Sequence, residues 1–148
     1  MKTRHPQYFE GILQLRNVSR EVYDWVYNTI EREGKATVAK EKILKNGYDL
    51  YLSDQHYLQA LGRKLKLRFP GELIVSKRLH TTERMTQKLL YRITVLFRQL
   101  PFSVGQTIKT DEGNWKVLHV GNQVRAQDLQ SGKKKMFKFH ELERYVRV

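Results

Sequence analysis

The apolar positions in the first third of the chain switch between a period of two and a period near 3.6. Residues 8–16 alternate imperfectly between apolar and polar side chains, which predicts a strand with one buried face. From a potential N-cap at Ser19, apolar residues recur at helical spacing until Gly34, which predicts an amphipathic helix. Residues 36–43 and 48–53 predict two antiparallel strands, because the Asn-Gly pair between them favours a tight hairpin turn.

The middle of the chain continues with one helix and two strands. A second helix is expected from an N-cap at Ser53 to about Phe69, because leucines fall at helical spacing before a Pro-Gly pair ends the pattern. Residues 72–79 and 88–98 follow as strands joined by a polar connection. The predicted order is therefore strand, helix, strand, strand, helix, strand, strand.

This order predicts an α+β domain over residues 1–99. The first six elements form two strand-helix-strand units, the split arrangement of the ferredoxin-like fold, and the last strand is an extra one. In that fold two helices cover one face of an antiparallel sheet. The other face is left available for a partner.

A second, all-β domain is expected over residues 100–148. After a Leu-Pro break, short strands and one helical turn are predicted between turn signals, with the strands at residues 107–110, 115–120, 124–129, 135–139 and 145–148 and the helical turn at 140–144. Five strands in so short a segment predict a small SH3-like barrel, because closure of a sheet removes its exposed edges.

Charge points to the kind of partner. The chain carries 28 Lys and Arg residues against 15 Asp and Glu residues, a formal net charge of +13. So large an excess predicts a polyanionic partner. Residues 63–98 contain ten basic residues and only two Glu residues. If the two strands pair as a hairpin, five of them crowd near its outer end: Lys77, Arg78, Arg84, Lys88 and Arg92. Their mutual repulsion lowers stability unless phosphates neutralise it, although a merely solvated face is the alternative.

The candidate RNA-binding residues are basic side chains and one histidine in three segments of the predicted fold. They are Arg63, Lys64, Lys66 and Arg68 on the second helix, Lys77, Arg78, His80, Arg84, Lys88 and Arg92 on the strand pair and its loop, and Lys133, Lys134 and Lys135 at a hairpin tip. For His80 simple exposure is the alternative, and for the tip a contribution to solubility. Aromatic residues such as Tyr51 could stack on bases, but most are expected in the core.

The sequence offers little for catalysis. It contains no cysteine, which excludes disulfides, thiolate catalysis and Cys-based metal sites. The histidines are scattered, and no phosphate-binding glycine loop or nucleophile motif is present. We therefore expect no enzyme, metal or cofactor; an RNA-modifying or RNA-cleaving enzyme is the alternative, without a candidate acid–base pair. No segment predicts a membrane span or secretory signal, so a cytoplasmic location is expected.

Three segments between Gly47 and Pro101 follow one another in a distinctive order: GYDLYLSDQHYLQALGRKLKLRFP, VSKRL and KLLYRITVLFRQLP. They resemble the nonsense-mediated decay protein three family, the export adaptor of the large ribosomal subunit, in its archaeal form. The opening HPQYFEGILQLR is similar to the strand that follows the family's zinc region. PFSVGQTIKT and the residues after it are similar to the family's small barrel.

The resemblance implies binding to the large ribosomal subunit around the tRNA exit region and its mobile stalk. It also implies that the second domain is similar to part of the hypusine-bearing translation factor. The family's paired Cys-x-x-Cys zinc ligands are missing here, so either the protein has no such domain or this sequence is a shortened form of it. The eukaryotic export tail is missing as well, and nuclear export is not expected.

Two functions from different classes remain open. In the first, the chain is a monomeric ribosome-associated factor that binds rRNA of the large subunit, with ribosomal proteins of the tRNA exit region as candidate further partners, and acts in subunit maturation or translation. In the second, it is an adaptor on the ribosome whose ferredoxin-like sheet is a protein-docking platform, and its basic charge only localises it. Retention on deproteinised rRNA would separate the two.

Overall fold

A computed structural model describes residues 8–82, 89–100 and 102–143 of the chain, which divides into two compact units. Within the described residues, the first unit extends to Phe69 and resumes over Leu73–Gln99. The second contains Pro70–Glu72 and the residues from Leu100 onward. The protein is α+β, with a five-stranded sheet and a four-stranded sheet.

Along the chain, the strands of the five-stranded sheet and its two helices follow one another in the order that the periodicity predicts. The elements are β1 (Gly11–Arg16), α1 (Arg20–Glu33), β2 (Val38–Leu44), β3 (Gly47–Leu52), α2 (Gln55–Arg68), β4 (Gly71–Thr82) and β5 (Leu89–Gln99). The predicted hairpin between the second and third strands is confirmed, because β2 and β3 pair in antiparallel register.

The helix ends show which polar residues the backbone uses. The predicted caps of α1 are confirmed: the Ser19 hydroxyl accepts from the backbone N–H of Val22, and Gly34 ends the helix with a φ of +62°. For α2 the predicted cap at Ser53 is wrong. The Asp54 carboxylate accepts from the backbone N–H of Tyr57 at 2.9 Å. The Ser53 hydroxyl is occupied instead by the backbone N–H of Thr37.

The strand order is β2-β3-β1-β5-β4. β1 is antiparallel to β3 and parallel to β5. The expected antiparallel sheet is therefore wrong for the β1–β5 pair, and β5 occupies the place beside β1 that the strand after the second helix takes in the ferredoxin-like fold. Burial explains the exchange. β5 buries Ile93, Val95 and Phe97 as a central strand does, whereas β4 exposes the six consecutive residues 74–79 and lies at the edge.

A single apolar core joins the sheet to both helices. Leu13 of β1 and Leu50 of β3 are fully buried and belong to the same cluster as Val26 of α1 and as Leu58 and Leu61 of α2. Shortening a fully buried leucine to alanine costs about 2–5 kcal/mol, so this cluster fixes both helices on one face of the sheet.

The second unit has its own core. Its elements are β6 (Thr107–Thr110), β7 (Gly113–Val120), β8 (Val124–Asp128), β9 (Lys134–Phe137) and the short helix α3 (Phe139–Glu143). The sheet order is β6-β7-β8-β9, and Trp115, Val117 and Phe137 are buried in the core. The fifth predicted strand, 145–148, lies outside the described residues, so the SH3-like barrel stays a prediction.

Candidate nucleic-acid interface

The five-stranded sheet has one face that α1 and α2 do not occupy. Ile12 and Gln14 alternate along β1 with core leucines, and Arg92 and Thr94 alternate along β5 with Ile93 and Val95. Side chains of successive strand residues point to opposite faces. We use the term open face for this surface, which comprises Phe9, Ile12, Gln14, Lys40, Lys42, Tyr51, Arg78, Arg92 and Thr94.

Strand register brings the residues of the open face into rows. Tyr51 lies opposite Ile12 on one side and opposite Lys40 on the other. Ile12 in turn lies opposite Thr94 of β5. Lys42 is two residues from Lys40 on the same face, which places a pair of exposed ammonium groups beside the Tyr51 ring.

Aromatic rings and cations alternate at the centre of this face. The rings of Phe9 and Tyr51 meet edge to face, with centroids 4.8 Å apart. The Nζ atoms of Lys40 and Lys42 lie 5.6 and 5.5 Å from the centroid of the Tyr51 ring. The Arg92 guanidinium carbon lies 4.0 Å from the centroid of the Phe9 ring. Cations at such distances are attracted by the electron-rich ring faces.

A groove of about 690 Å³ follows these residues. Side chains from four segments line it: Phe9, Ile12, Gln14, Tyr51, Ser76, Lys77, Arg78, Leu79, Arg92 and Thr94. Three of these described residues are cationic and none is a carboxylate. The volume lies within the range of small-molecule clefts, about 300–1,000 Å³. The groove can therefore hold an anionic group of nucleotide size.

Two details of the groove and its surroundings bear on electrostatics. Within the described part of the chain, the buried Nε atom of Arg92 has no hydrogen-bond partner. Such a donor costs free energy until an acceptor reaches it. Asp49 lies on the same side of β3 as Tyr51, and Arg16 holds its carboxylate at 2.8 Å. The only carboxylate beside Tyr51 in β3 is therefore already neutralised.

The predicted basic run of residues 63–98 does not form one surface. Arg63, Lys64 and Arg68 are exposed and Lys66 is half-buried on α2, which packs on the opposite face of the sheet from Arg78 and Arg92. Lys64 forms an ion pair with Glu33 of α1. The helix residues thus form a second basic surface, separate from the open face.

The structure describes the side chains of only some of the predicted RNA-binding residues in β4 and the loop after it. Lys77 lies 4.2 Å from the centroid of the Tyr91 ring, and Arg78 lines the groove. The backbone of His80 belongs to β4, but its side chain lies outside the described residues, as do Arg84 and Lys88 entirely. A role for these three in RNA binding stays a prediction.

The predicted lysine tip of the second unit is divided between a turn and a strand. Lys133 precedes β9, whereas Lys134 and Lys135 lie within it. Lys134 pairs with Gln127, and the Lys135 ammonium lies 3.7 Å from the carboxylate of Glu112. The three ammonium groups therefore do not project together from one loop.

Lys134 belongs instead to the outer face of the four-stranded sheet, opposite its core. Lys116 and Lys134 both pair with Gln127, which lies between them. His119 pairs with Arg125, and both are exposed. We use the term outer face for the surface comprising Lys109, Lys116, His119, Arg125, Gln127, Lys134 and Met136. No carboxylate lies among these described residues.

The pKa values of Glu33, Tyr57 and Tyr27 are shifted by contacts away from both faces, between the two helices or between α1 and β2. The Lys64 ammonium, followed by the Tyr57 hydroxyl, lowers the pKa of Glu33. Burial, together with the hydrogen bond to Glu33, raises the pKa of Tyr57. Burial and the Glu41 carboxylate likewise raise the pKa of Tyr27. These carboxylates are engaged in structural contacts between elements.

Neither a metal-binding cluster nor a membrane-spanning helix occurs among the described residues. Across residues 8–82, 89–100 and 102–143, no group of three or more His, Cys, Asp or Glu side chains could hold a metal ion. No helix in this part of the chain has the length and hydropathy needed to cross a membrane.

Several open-face residues were not identified from the sequence. Local charge density does not distinguish Phe9, Gln14, Lys40, Lys42 or Thr94. Tyr51 is an aromatic residue of the kind expected mostly in the core. The hairpin turn could have located the two lysines, since it fixes β2 against β3 and thereby places Lys40 opposite Tyr51.

Comparison with known proteins adds a family match. The model of the family described as NMD3, second domain, matches residues 8–98. The matched range contains every strand of the five-stranded sheet up to Arg98 and the whole open face. Among curated proteins, none matches the chain.

Proposed function

The chain belongs to the NMD3 family, which is associated with the large ribosomal subunit, and from this premise we propose that it binds rRNA of that subunit. The match extends over well over half of the sequence. We propose further that the protein acts as a cytoplasmic monomer in subunit maturation or translation. The finer expectation of docking around the tRNA exit region belongs to this proposal.

The open face is the observation that carries the proposal. It presents Lys40, Lys42, Arg78 and Arg92 around two aromatic rings, and no described residue that lines its groove is a carboxylate. RNA phosphates supply the negative charge that such a surface lacks, and their neutralisation releases counterions. Charge and ring chemistry together therefore favour RNA over a generic acidic protein.

The second unit supports the same conclusion independently. Its outer face carries Lys116, Arg125 and Lys134 at strand positions fixed by register. Because these residues lie in a sheet, their binding to phosphates costs less conformational entropy than binding by residues of a flexible loop would. We infer that each unit of the chain contributes a phosphate-contacting surface.

We propose that this binding is not accompanied by catalysis. The carboxylates with clearly defined partners have structural roles: Asp49 pairs with Arg16, and Glu33 accepts hydrogen bonds from Lys64 and Tyr57. Such groups are poorly placed to act as a general base on RNA.

The fold of the first unit fits this proposal. Its β1-α1-β2-β3 half has the split arrangement of the ferredoxin-like fold, with β3 between β1 and β2. We interpret the whole unit as a variant of that fold, in which β5 takes the place beside β1 and β4 is added at the edge.

The test compares two variants with the same loss of charge. The first replaces Lys40, Lys42 and Arg78 with Gln on the open face. The control replaces Arg63, Lys64 and Arg68 with Gln on α2. Binding of each to purified large-subunit rRNA is measured over a range of salt concentrations. Each phosphate contact contributes roughly 0.7–0.9 to the slope of log affinity against log salt.

The open-face variant should bind more weakly, with a slope reduced by up to about 2.1–2.7, while the α2 variant changes little. A larger loss in the α2 variant would show that the helix surface is the interface. Equal binding of wild type and both variants, with the fold intact, would contradict rRNA binding by the first unit altogether.

A second function is favoured by one observation. The edge strand β4 exposes Ile74, Val75 and Leu79 to between 46% and 52%. An exposed strand edge with apolar side chains is typical of a protein-docking surface. In that case intact subunits would retain the protein, deproteinised rRNA would not, and charge would serve only to localise the molecule.

A further inference from the structure

We propose that the groove of the open face binds unpaired RNA nucleotides, with a base placed against the rings of Phe9 and Tyr51. This inference rests on the proposed rRNA binding and specifies its substrate at this site. It differs from recognition of folded duplex RNA by charge and shape, which needs no ring.

The ring geometry offers a place for a flat base. The planes of Phe9 and Tyr51 are inclined by 86°, so a base that stacks on one ring would meet the edge of the other. Both rings are partly exposed and line the groove. Stacking of a base on an aromatic side chain is tolerant of base identity, because every base has a π-face.

Polar groups in the groove suit the edge of a base. The buried Nε–H of Arg92 has no acceptor among the described residues. Gln14 and Thr94 line the same groove and carry both donors and acceptors. A base carbonyl or ring nitrogen would satisfy the arginine donor, which gives the ligand a polar anchor beside the aromatic one.

Cations lie on both sides of this position. Lys40 and Lys42 belong to β2 at one edge of the sheet, and Arg78 belongs to β4 at the other edge. A single strand that crosses the sheet would therefore meet ammonium or guanidinium groups before and after the stacked base. This arrangement spaces phosphate contacts around a base contact.

Duplex RNA does not fit this chemistry. Its bases are stacked on one another, and its major groove is too deep and narrow for side chains to read. Aromatic stacking therefore requires a base that has left the stack, as in loops, bulges and single strands. The rings thus favour unpaired segments.

The experiment uses the full chain and a labelled single-stranded RNA of mixed sequence, compared with the duplex that this strand forms with its complement. Tyr51→Leu removes the ring without changing charge. Tyr91→Leu is the matched control, since Tyr91 is also half-exposed and near a lysine but does not line the groove. Fluorescence anisotropy gives affinities at several salt concentrations.

Tyr51→Leu should weaken single-strand binding by about 5- to 100-fold, leave the salt slope unchanged and affect duplex binding little. Tyr91→Leu should change none of these. Ultraviolet cross-linking should also attach a nucleotide to the peptide containing Phe9 or Tyr51. Should Tyr51→Leu not fold, Phe9→Leu provides the same test.

The outcomes separate this inference from the proposed function. If the open-face charge variant loses rRNA binding while Tyr51→Leu and Phe9→Leu both bind single strands as wild type does, the stacking inference is wrong and rRNA binding stands. Equal losses in Tyr51→Leu and Tyr91→Leu would also overturn it. If wild type binds neither rRNA nor the oligonucleotide, the proposed function fails first.

Discussion

The guanidinium carbon of Arg92 lies 4.0 Å from the centroid of the Phe9 ring. These residues come from distant parts of the chain, and the parallel pairing of β1 with β5 brings them together. The planar guanidinium is thereby placed beside an aromatic surface in a groove that also exposes Tyr51. Its shape as well as its charge should therefore contribute to binding.

Arg92→Lys tests that distinction. Lysine keeps the charge but loses the planar group that stacks on a ring. We expect affinity for single-stranded RNA to fall by about 2- to 5-fold, with an unchanged dependence on salt. Anisotropy titrations at several salt concentrations measure both quantities. Full retention of affinity would mean that Arg92 acts only as a point charge.

Gly47→Ala should destabilise the first unit. A Cβ at this position would overlap the backbone carbonyl oxygen of Leu15 on the neighbouring strand, and a backbone atom cannot move aside as a side chain can. We expect a loss of about 1–3 kcal/mol in the free energy of unfolding. Urea unfolding followed by Trp25 fluorescence, in a Trp115→Phe background, reports on this unit alone.

The control for this measurement is Lys45→Ala in the exposed turn that precedes Gly47. Its effect should stay within about 0.5 kcal/mol, as is usual for surface positions. If the two substitutions have equal effects, the close approach of Gly47 to β1 is not a determinant of stability.

Glu33 should make stability depend on pH. Its pKa is lowered from 4.5 by Lys64 and Tyr57, so the ionised form stabilises the fold at neutral pH. This contribution is present above the unfolded pKa and is lost as the pH falls through the lower folded value. Glu33→Gln should therefore lower the melting temperature at pH 7 and have a smaller effect near pH 3.

Thermal unfolding at both pH values measures this difference. Glu31→Gln, an exposed change of the same charge in the same helix, is the control. If Glu33→Gln lowers the melting temperature as much near pH 3 as at pH 7, Glu33 stabilises the fold through its shape or through a hydrogen bond of its neutral form.

The outer face of the second unit should contribute to the salt dependence of rRNA binding. Replacing Arg125 and Lys134 with Gln should lower the slope of log affinity against log salt by about 1.4–1.8. Replacing Lys133 and Lys135, which lie off this face, should have a smaller effect. The reverse ranking would favour the lysine tip as the phosphate contact.

Local sequence patterns predicted most of the helices and strands. They did not predict which residues distant in sequence contact one another. The caps of α1 followed from Ser19 and Gly34, because both signals act within one turn of the helix. The cap of α2 was misplaced by one residue. Ser53 and Asp54 are both able to cap, and the backbone of Thr37, which is distant in sequence, occupies the serine.

The order of the sheet and the make-up of the open face depended on pairings that periodicity cannot show. The local sequences of β4 and β5 do not indicate which of the two strands lies beside β1. The dense basic run was visible in the sequence, but strand alternation and helix packing place Arg63 and Arg92 on opposite faces. Linear charge density therefore predicts a class of partner, but it does not show which basic residues share one surface.

The parallel pairing of β1 with β5 also affects how the protein can fold during synthesis. Gly11 pairs with Ile93, so one edge of β1 stays unpaired until nearly the whole first unit has left the ribosome. Shortened chains that end before β5 should aggregate, because an unpaired strand edge recruits other chains. The first unit must therefore be synthesised almost to its end before β1 can pair on both of its edges.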